Sequence, residues 1–149
     1  LGRDGFKDGG TTAADATATA VLLALGCGQI VVQTRTAPVE TGPAGIVLGV
    51  LFPLTVPVAF LVTCGVLLRR LPAGSVPRVL RWTLAWGTAL GIASVVAIAQ
   101  QRAAGVPLTD EQSMVALFVS VGSLAGALIG AREVKETPSN DGSGGVRHP

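Results

Sequence analysis

The chain predicts an all-α integral membrane protein, a four-helix bundle with both termini on the cytoplasmic side. Three observations lead there. Four apolar runs, at residues 16–34, 43–68, 82–101 and 112–131, contain no ionisable side chain. About 20 apolar residues cross a hydrocarbon layer roughly 30 Å thick as a helix, so each run is long enough to span. Apolar residues make up 49% of the chain and charged residues 13%, with mean hydropathy +0.59. A soluble domain carries about 25% charged residues, and its surface helices keep a polar face that these runs lack. Finally, Lys and Arg are distributed nine against two between the two sides of the resulting topology. Arg69, Arg70, Arg78 and Arg81 sit between spans two and three, Arg3 and Lys7 precede span one, and Arg132, Lys135 and Arg147 follow span four. Only Arg35 and Arg102 fall on the other side. Basic residues accumulate on cytoplasmic loops, which orients the bundle in the plasma membrane.

Residues 1–12 are Gly-rich and polar, and are expected to form a flexible tail. Thr12-Ala-Ala-Asp15 has the form of a capping box opening the first helix. The segment ahead of this span carries three acids against two bases, whereas a cleaved signal peptide needs a net positive leader. Span two opens at Thr41-Gly-Pro43, with proline suited to a first helical turn. Pro53 and Pro57 lie four apart on one face of it and predict a kink, since each removes a backbone donor. Leu71-Pro72-Ala-Gly-Ser-Val-Pro77 breaks the chain before span three. Trp82 and Trp86 follow, as indoles that favour the headgroup level. Ala103-Ala-Gly-Val-Pro107 breaks it again. Thr109-Asp110-Glu111-Gln112 reads as a capping box starting span four, with two acids that complement the helix dipole. The transmembrane domain is therefore 13–136, and residues 137–149 form a flexible Ser/Gly-rich tail or linker. The first residue is Leu1, and both ends have the character of cuts or linkers, as in one module of a larger polypeptide.

Two features inside the spans carry information. Gly122, Gly126 and Gly130 form a stripe of small residues down span four, and Gly87 with Gly91 repeats the spacing in span three. In lipid, helices associate by close packing, and such stripes let backbones approach. The partner is either a helix of the same chain or one of a second copy, giving a homodimer. Gln29 and Gln33, one turn apart in span one, are expected to make an interhelical hydrogen bond or to line a small polar pocket.

The absences exclude whole classes of function. No Asp, Glu, Lys, Arg or His lies inside a span, while proton relays and voltage sensors require such residues. No catalytic motif, cofactor-binding loop or metal-ligand spacing exists, and the single histidine, His148, is in the tail. A net charge of +2 without a basic stripe gives no footprint for nucleic acid. Cys27 and Cys64 fall at different depths and are not expected to pair. No enzyme activity, cofactor or metal is predicted for this segment; its constant partner is the lipid bilayer.

Four Ala/Val/Gly/Leu-rich spans, a short Pro-containing Arg loop and a last span ending Gly-Ala-Leu-Ile-Gly-Ala-Arg-Glu-Val resemble the N-terminal membrane regions of haloarchaeal sensor histidine kinases. The resemblance implies an archaeal module that passes a signal to a cytoplasmic kinase domain through its last helix. Pro138 and the Gly/Ser tail depart from that pattern, and no phosphoacceptor segment is present. The leading expectation is thus a sensory or signal-coupling membrane module. A stand-alone structural scaffold and an oligomeric channel or small-solute transporter are the alternatives. Stimulus, oligomeric state and biological process are not legible in the residues.

Overall fold

A computed structural model describes residues 12–36, 42–47, 51–106 and 111–136. The elements are α1 (Ala13–Thr36), a single turn α2 (Pro43–Ile46), α3 (Phe52–Arg70), α4 (Val76–Ala103) and α5 (Glu111–Glu136). Of these, α1, α3, α4 and α5 are long and apolar enough to cross a membrane. No strand occurs among the described residues.

The helices outrun the apolar segments. At 1.5 Å per residue, the 28 residues of α4 reach about 42 Å, more than the roughly 30 Å apolar core of a bilayer. Its first turns carry Arg78 and Arg81, and its last carries Arg102, so the excess length is polar at both ends. The reverse holds for span two. Its described helix is 19 residues, Phe52–Arg70, while residues 48–50 lie outside the described residues between α2 and α3. Leu51, just ahead of α3, takes the wider i→i+5 turn, close to where Pro53 removes a donor. Pro57 lies inside α3 and is buried, while Pro53 is half-buried near its start.

Four antiparallel neighbours result, and tertiary contacts fix their order along the bundle axis. At one end, called here the arginine end, the start of α1 meets the α3–α4 turn through Asp15 and Gly74. At the far end, Arg102 of α4 pairs with Glu111 of α5. The main apolar core sits in the arginine-end half: Ala18 and Leu22 of α1, Phe60 and Cys64 of α3, Val79 of α4 and Ala127 of α5. Most other large apolar side chains point outward, among them Phe52, Val62, Ile92, Val95 and Leu128. That is far more exposed apolar surface than a water-soluble monomer tolerates, and the four helices point to a multi-pass membrane protein.

Candidate functional site

Size, rather than polarity, distinguishes the faces of α5, because this helix is apolar nearly all round. Gly122, Gly126 and Gly130 are buried against α4. A β-carbon added at Gly122 would lie 2.5 Å from the Trp86 carbonyl oxygen, and one at Gly126 would collide with the Trp82 carbonyl oxygen. At Gly130 it would meet the Val79 Cα at 3.0 Å. Successive turns of α5 therefore lie against successive turns of α4, backbone on backbone. Gly87 and Gly91 contribute from α4, where an added β-carbon would lie 2.8 Å from the Ser123 Oγ and 2.9 Å from the Val119 Cγ2. At Gly122 and Gly126 a Cα–H points where the β-carbon would be, towards a carbonyl oxygen. Such contacts are worth about 0.5–1 kcal/mol each. These glycines thus pack against a helix of the same chain, one of the two partners that the residues alone left open.

The arginine end is closed by a side chain whose role the sequence does not disclose. Asp15 is only 3% exposed, although it lies at the start of an apolar helix. Its backbone N–H makes the expected cap, donating to Thr12 Oγ1 at 3.2 Å. Its carboxylate, however, reaches the α3–α4 turn: it accepts from the Gly74 N–H at 2.5 Å and the Val76 N–H at 3.3 Å. Val76 opens α4, where Pro77 has no N–H and Arg78 donates to the Ser75 carbonyl at 3.1 Å, so the Val76 N–H is the first-turn donor that needs a partner from outside the helix. Ser75 occupies the N-cap position but turns its hydroxyl to the Pro72 carbonyl instead. Asp15 therefore caps α4 from a different helix, and Gly74, at φ +84°, supplies the left-handed turn that aims its N–H.

Close by, Trp82 donates its indole N–H to the Glu133 carboxylate, tying α4 to the charged exit of α5. Trp86 is exposed. Arg69, Arg70, Arg78 and Arg81 are all exposed around the same end. Arg132 pairs with Glu136 one turn on at 2.9 Å, so α5 remains helical through its charged segment.

The opposite half is built differently. Gln29 and Gln33 are 7% and 2% exposed, on the face of α1 that turns into the bundle. Gln29 donates through Nε2 to Ser123 Oγ of α5 at 3.0 Å. Among the described residues, the buried side-chain N and O atoms with no partner are Gln29 Oε1 and both amide atoms of Gln33. The buried hydroxyls of Thr83, Ser94 and Ser120 bond to carbonyls of their own helices, at 2.7–2.9 Å.

Between α1 and α4, over α5, lies a cleft of about 1000 Å³. Gln29 lines it and Gln33 does not, so the two glutamines do not form the shared pocket their spacing suggests. Leu25, Val32, Val95, Ile98 and Val115 supply apolar walls, and the Arg102–Glu111 pair stands at the rim. A smaller cavity of about 430 Å³ continues it towards the arginine end, sharing Leu25, Val95, Val115 and Val119. Gly28 also lines the main cleft, and a β-carbon there would meet nothing within 4 Å.

Other expectations fall into place or outside view. Cys27 is exposed and Cys64 buried, both free. Thr109 and Asp110 of the second capping box, residues 1–11 of the first tail and the whole of 137–149 with His148 lie outside the described residues. The chain matches no protein-family model, no curated protein and no solved structure.

Proposed function

We propose that this chain is a plasma-membrane signal-coupling module, carrying no catalysis of its own. It converts a change within the bilayer into movement of the charged end of α5. The nine-to-two bias of Lys and Arg supports an orientation with the arginine end, and both termini, in the cytoplasm. The recipient is a cytoplasmic signalling domain or partner protein reached through Arg132–Glu136. The resemblance to sensor-kinase membrane regions agrees with this role.

One observation carries the reading. The α4–α5 pair, held backbone to backbone at Gly122, Gly126 and Gly130, borders an open cleft in one half and ends as a charged helix at the other. Interfaces packed this closely move as units rather than deforming continuously. Filling or emptying the cleft would therefore tilt α4–α5 against α1 and α3, and displace Glu136.

The test uses spin labels at Arg69→Cys and Lys135→Cys, in a chain with Cys27 and Cys64 replaced by serine, reconstituted in lipid nanodiscs. Gly28→Trp fills the cleft at a position where added atoms meet open space. The expected result is a changed distance distribution between the labels. An unchanged distribution, with α4–α5 still packed, contradicts the coupling.

A further inference from the structure

The outward face of α4 changes from charged to apolar along its length, in the order in which a phospholipid does. Arg78 and Arg81 lie three apart, so their side chains leave the helix as neighbours, and both are exposed. Neither has an ion-pair partner among the described residues, whose pairs are Arg102–Glu111 and Arg132–Glu136. The acids described at this end are engaged elsewhere. Asp15 accepts from the Gly74 and Val76 N–H groups, Glu133 from the Trp82 indole, and Glu136 from Arg132. Ala85, Ala89 and Ile92 continue the same face at steps of four and three, all exposed. Two alanines in succession leave a shallow track there, with the exposed Trp86 beside it. The other side of α4, with Val79, Thr83, Gly87 and Gly91 buried, is the one that packs on α1 and α5.

We propose that this face of α4 binds one anionic phospholipid, its phosphate held between Arg78 and Arg81 and one acyl chain lying along Ala85, Ala89 and Ile92. Charge complementarity selects the headgroup, because each guanidinium presents a planar fork that matches phosphate oxygens. The apolar continuation selects a lipid over a free phosphate. From Arg81 to Ile92 the track is about 16 Å long at 1.5 Å per residue, close to half of a hydrocarbon layer roughly 30 Å thick, which is the depth one acyl chain covers. Arg69 and Arg70 bring the same charge to the same end without this arrangement. Neighbours in sequence do not face each other on a helix, so these two attract anions without enclosing one. Such a site needs only a bilayer around the bundle, and it stands apart from the coupling proposed above.

The two tryptophans of the chain, Trp82 and Trp86, both lie near the start of α4, so intrinsic fluorescence reports on this face. The experiment reconstitutes the full chain in phosphatidylcholine vesicles and adds phosphatidylglycerol brominated in mid-chain. Quenching gives its affinity relative to equally brominated phosphatidylcholine. A preference of about tenfold for phosphatidylglycerol is expected, as two basic residues at an anionic surface supply. Arg78→Gln with Arg81→Gln should cut that preference to about twofold, whereas Arg69→Gln with Arg70→Gln, which removes the same charge, should change it by less than about twofold. All four arginines are exposed, so neither exchange reaches the core. Equal losses from the two double variants would mean a diffuse surface charge and overturn the site, as would an unmodified chain without preference. Ala89→Phe fills the track and should weaken phosphatidylglycerol binding several-fold with both arginines in place; no change overturns the acyl-chain contact. Glycerol 3-phosphate, a headgroup without chains, should not relieve the quenching. Relief would assign the arginines to a free phosphate and overturn the lipid.

Discussion

The two halves of the bundle draw on the same small and apolar residues, yet one is closed and the other open. In the arginine-end half, Phe60, Leu22 and Val79 fill the centre, Gly126 and Gly130 lie against the α4 backbone, and Asp15 ties α1 to the start of α4. In the other half the interior holds two glutamines with unpartnered amide atoms, and a cleft separates α1 from α4. Glycine makes the contrast plain. Gly122 has a carbonyl oxygen 2.5 Å from where its β-carbon would be, whereas Gly28, also on a span, has nothing within 4 Å. A small residue brings helices together only where the opposing helix comes to meet it, with backbone at Gly122 and Gly126, the Leu61 side chain at Gly26, and nothing at Gly28. Spacing alone does not supply the partner.

Substitutions can break this comparison, and the largest effect belongs to the closed seam. Gly126→Leu cannot be absorbed by a side-chain rotation, because the obstacle is the Trp82 backbone. It should separate α4 from α5 and lower stability by about 3 kcal/mol or more, read as earlier unfolding in a denaturant titration in micelles. Asp15→Ala comes next. It removes the acceptor of the Gly74 and Val76 N–H groups, so amide exchange at those two positions should accelerate before the rest of α4 loosens. Asp15→Asn should recover part of the protection, since one carbonyl oxygen still accepts.

In the open half the expected sign reverses. Gln33→Leu replaces an amide with no partner by a side chain of similar size, and should raise stability by about 1 kcal/mol. A loss of stability there would mean that Gln33 is satisfied and the half is not open in the sense described. Gln29→Leu, which forfeits the bond to Ser123, should instead cost about 0.6 kcal/mol. Gly28→Ala should instead stabilise, by up to about 1 kcal/mol from helix propensity with no clash to oppose it. The same change at Gly122 should destabilise, and a matching pair of thermal melts compares them directly.

The spans were legible because charge is so sharply excluded from them. Boundaries were less so: α4 begins at Val76, six residues ahead of its apolar run, since helical hydrogen bonding continues where hydropathy stops. The start of α1 was legible as a cap, but the second role of Asp15 joins residues 59 and 61 apart in sequence, which no local pattern reports. The glutamines announced a buried polar group. Their separation into one that lines the cleft and one that does not depends on how α1 rotates against α4 and α5. The cleft itself is space between side chains and has no signature in the residues around it. The place of Trp82 at the start of an apolar run suits an interfacial anchor, but its bond to Glu133, 51 residues away, has no local pattern to report it.

The most direct test of the account is disulfide formation between Val79→Cys and Gly130→Cys in membranes, in a chain with Cys27 and Cys64 replaced by serine. Gly130 faces the Val79 Cα at 3.0 Å from its β-carbon position. The account predicts rapid oxidation to a cross-linked species at monomer mass. Cross-linking only at dimer mass, or none while the chain remains folded, would contradict a seam that lies within one chain.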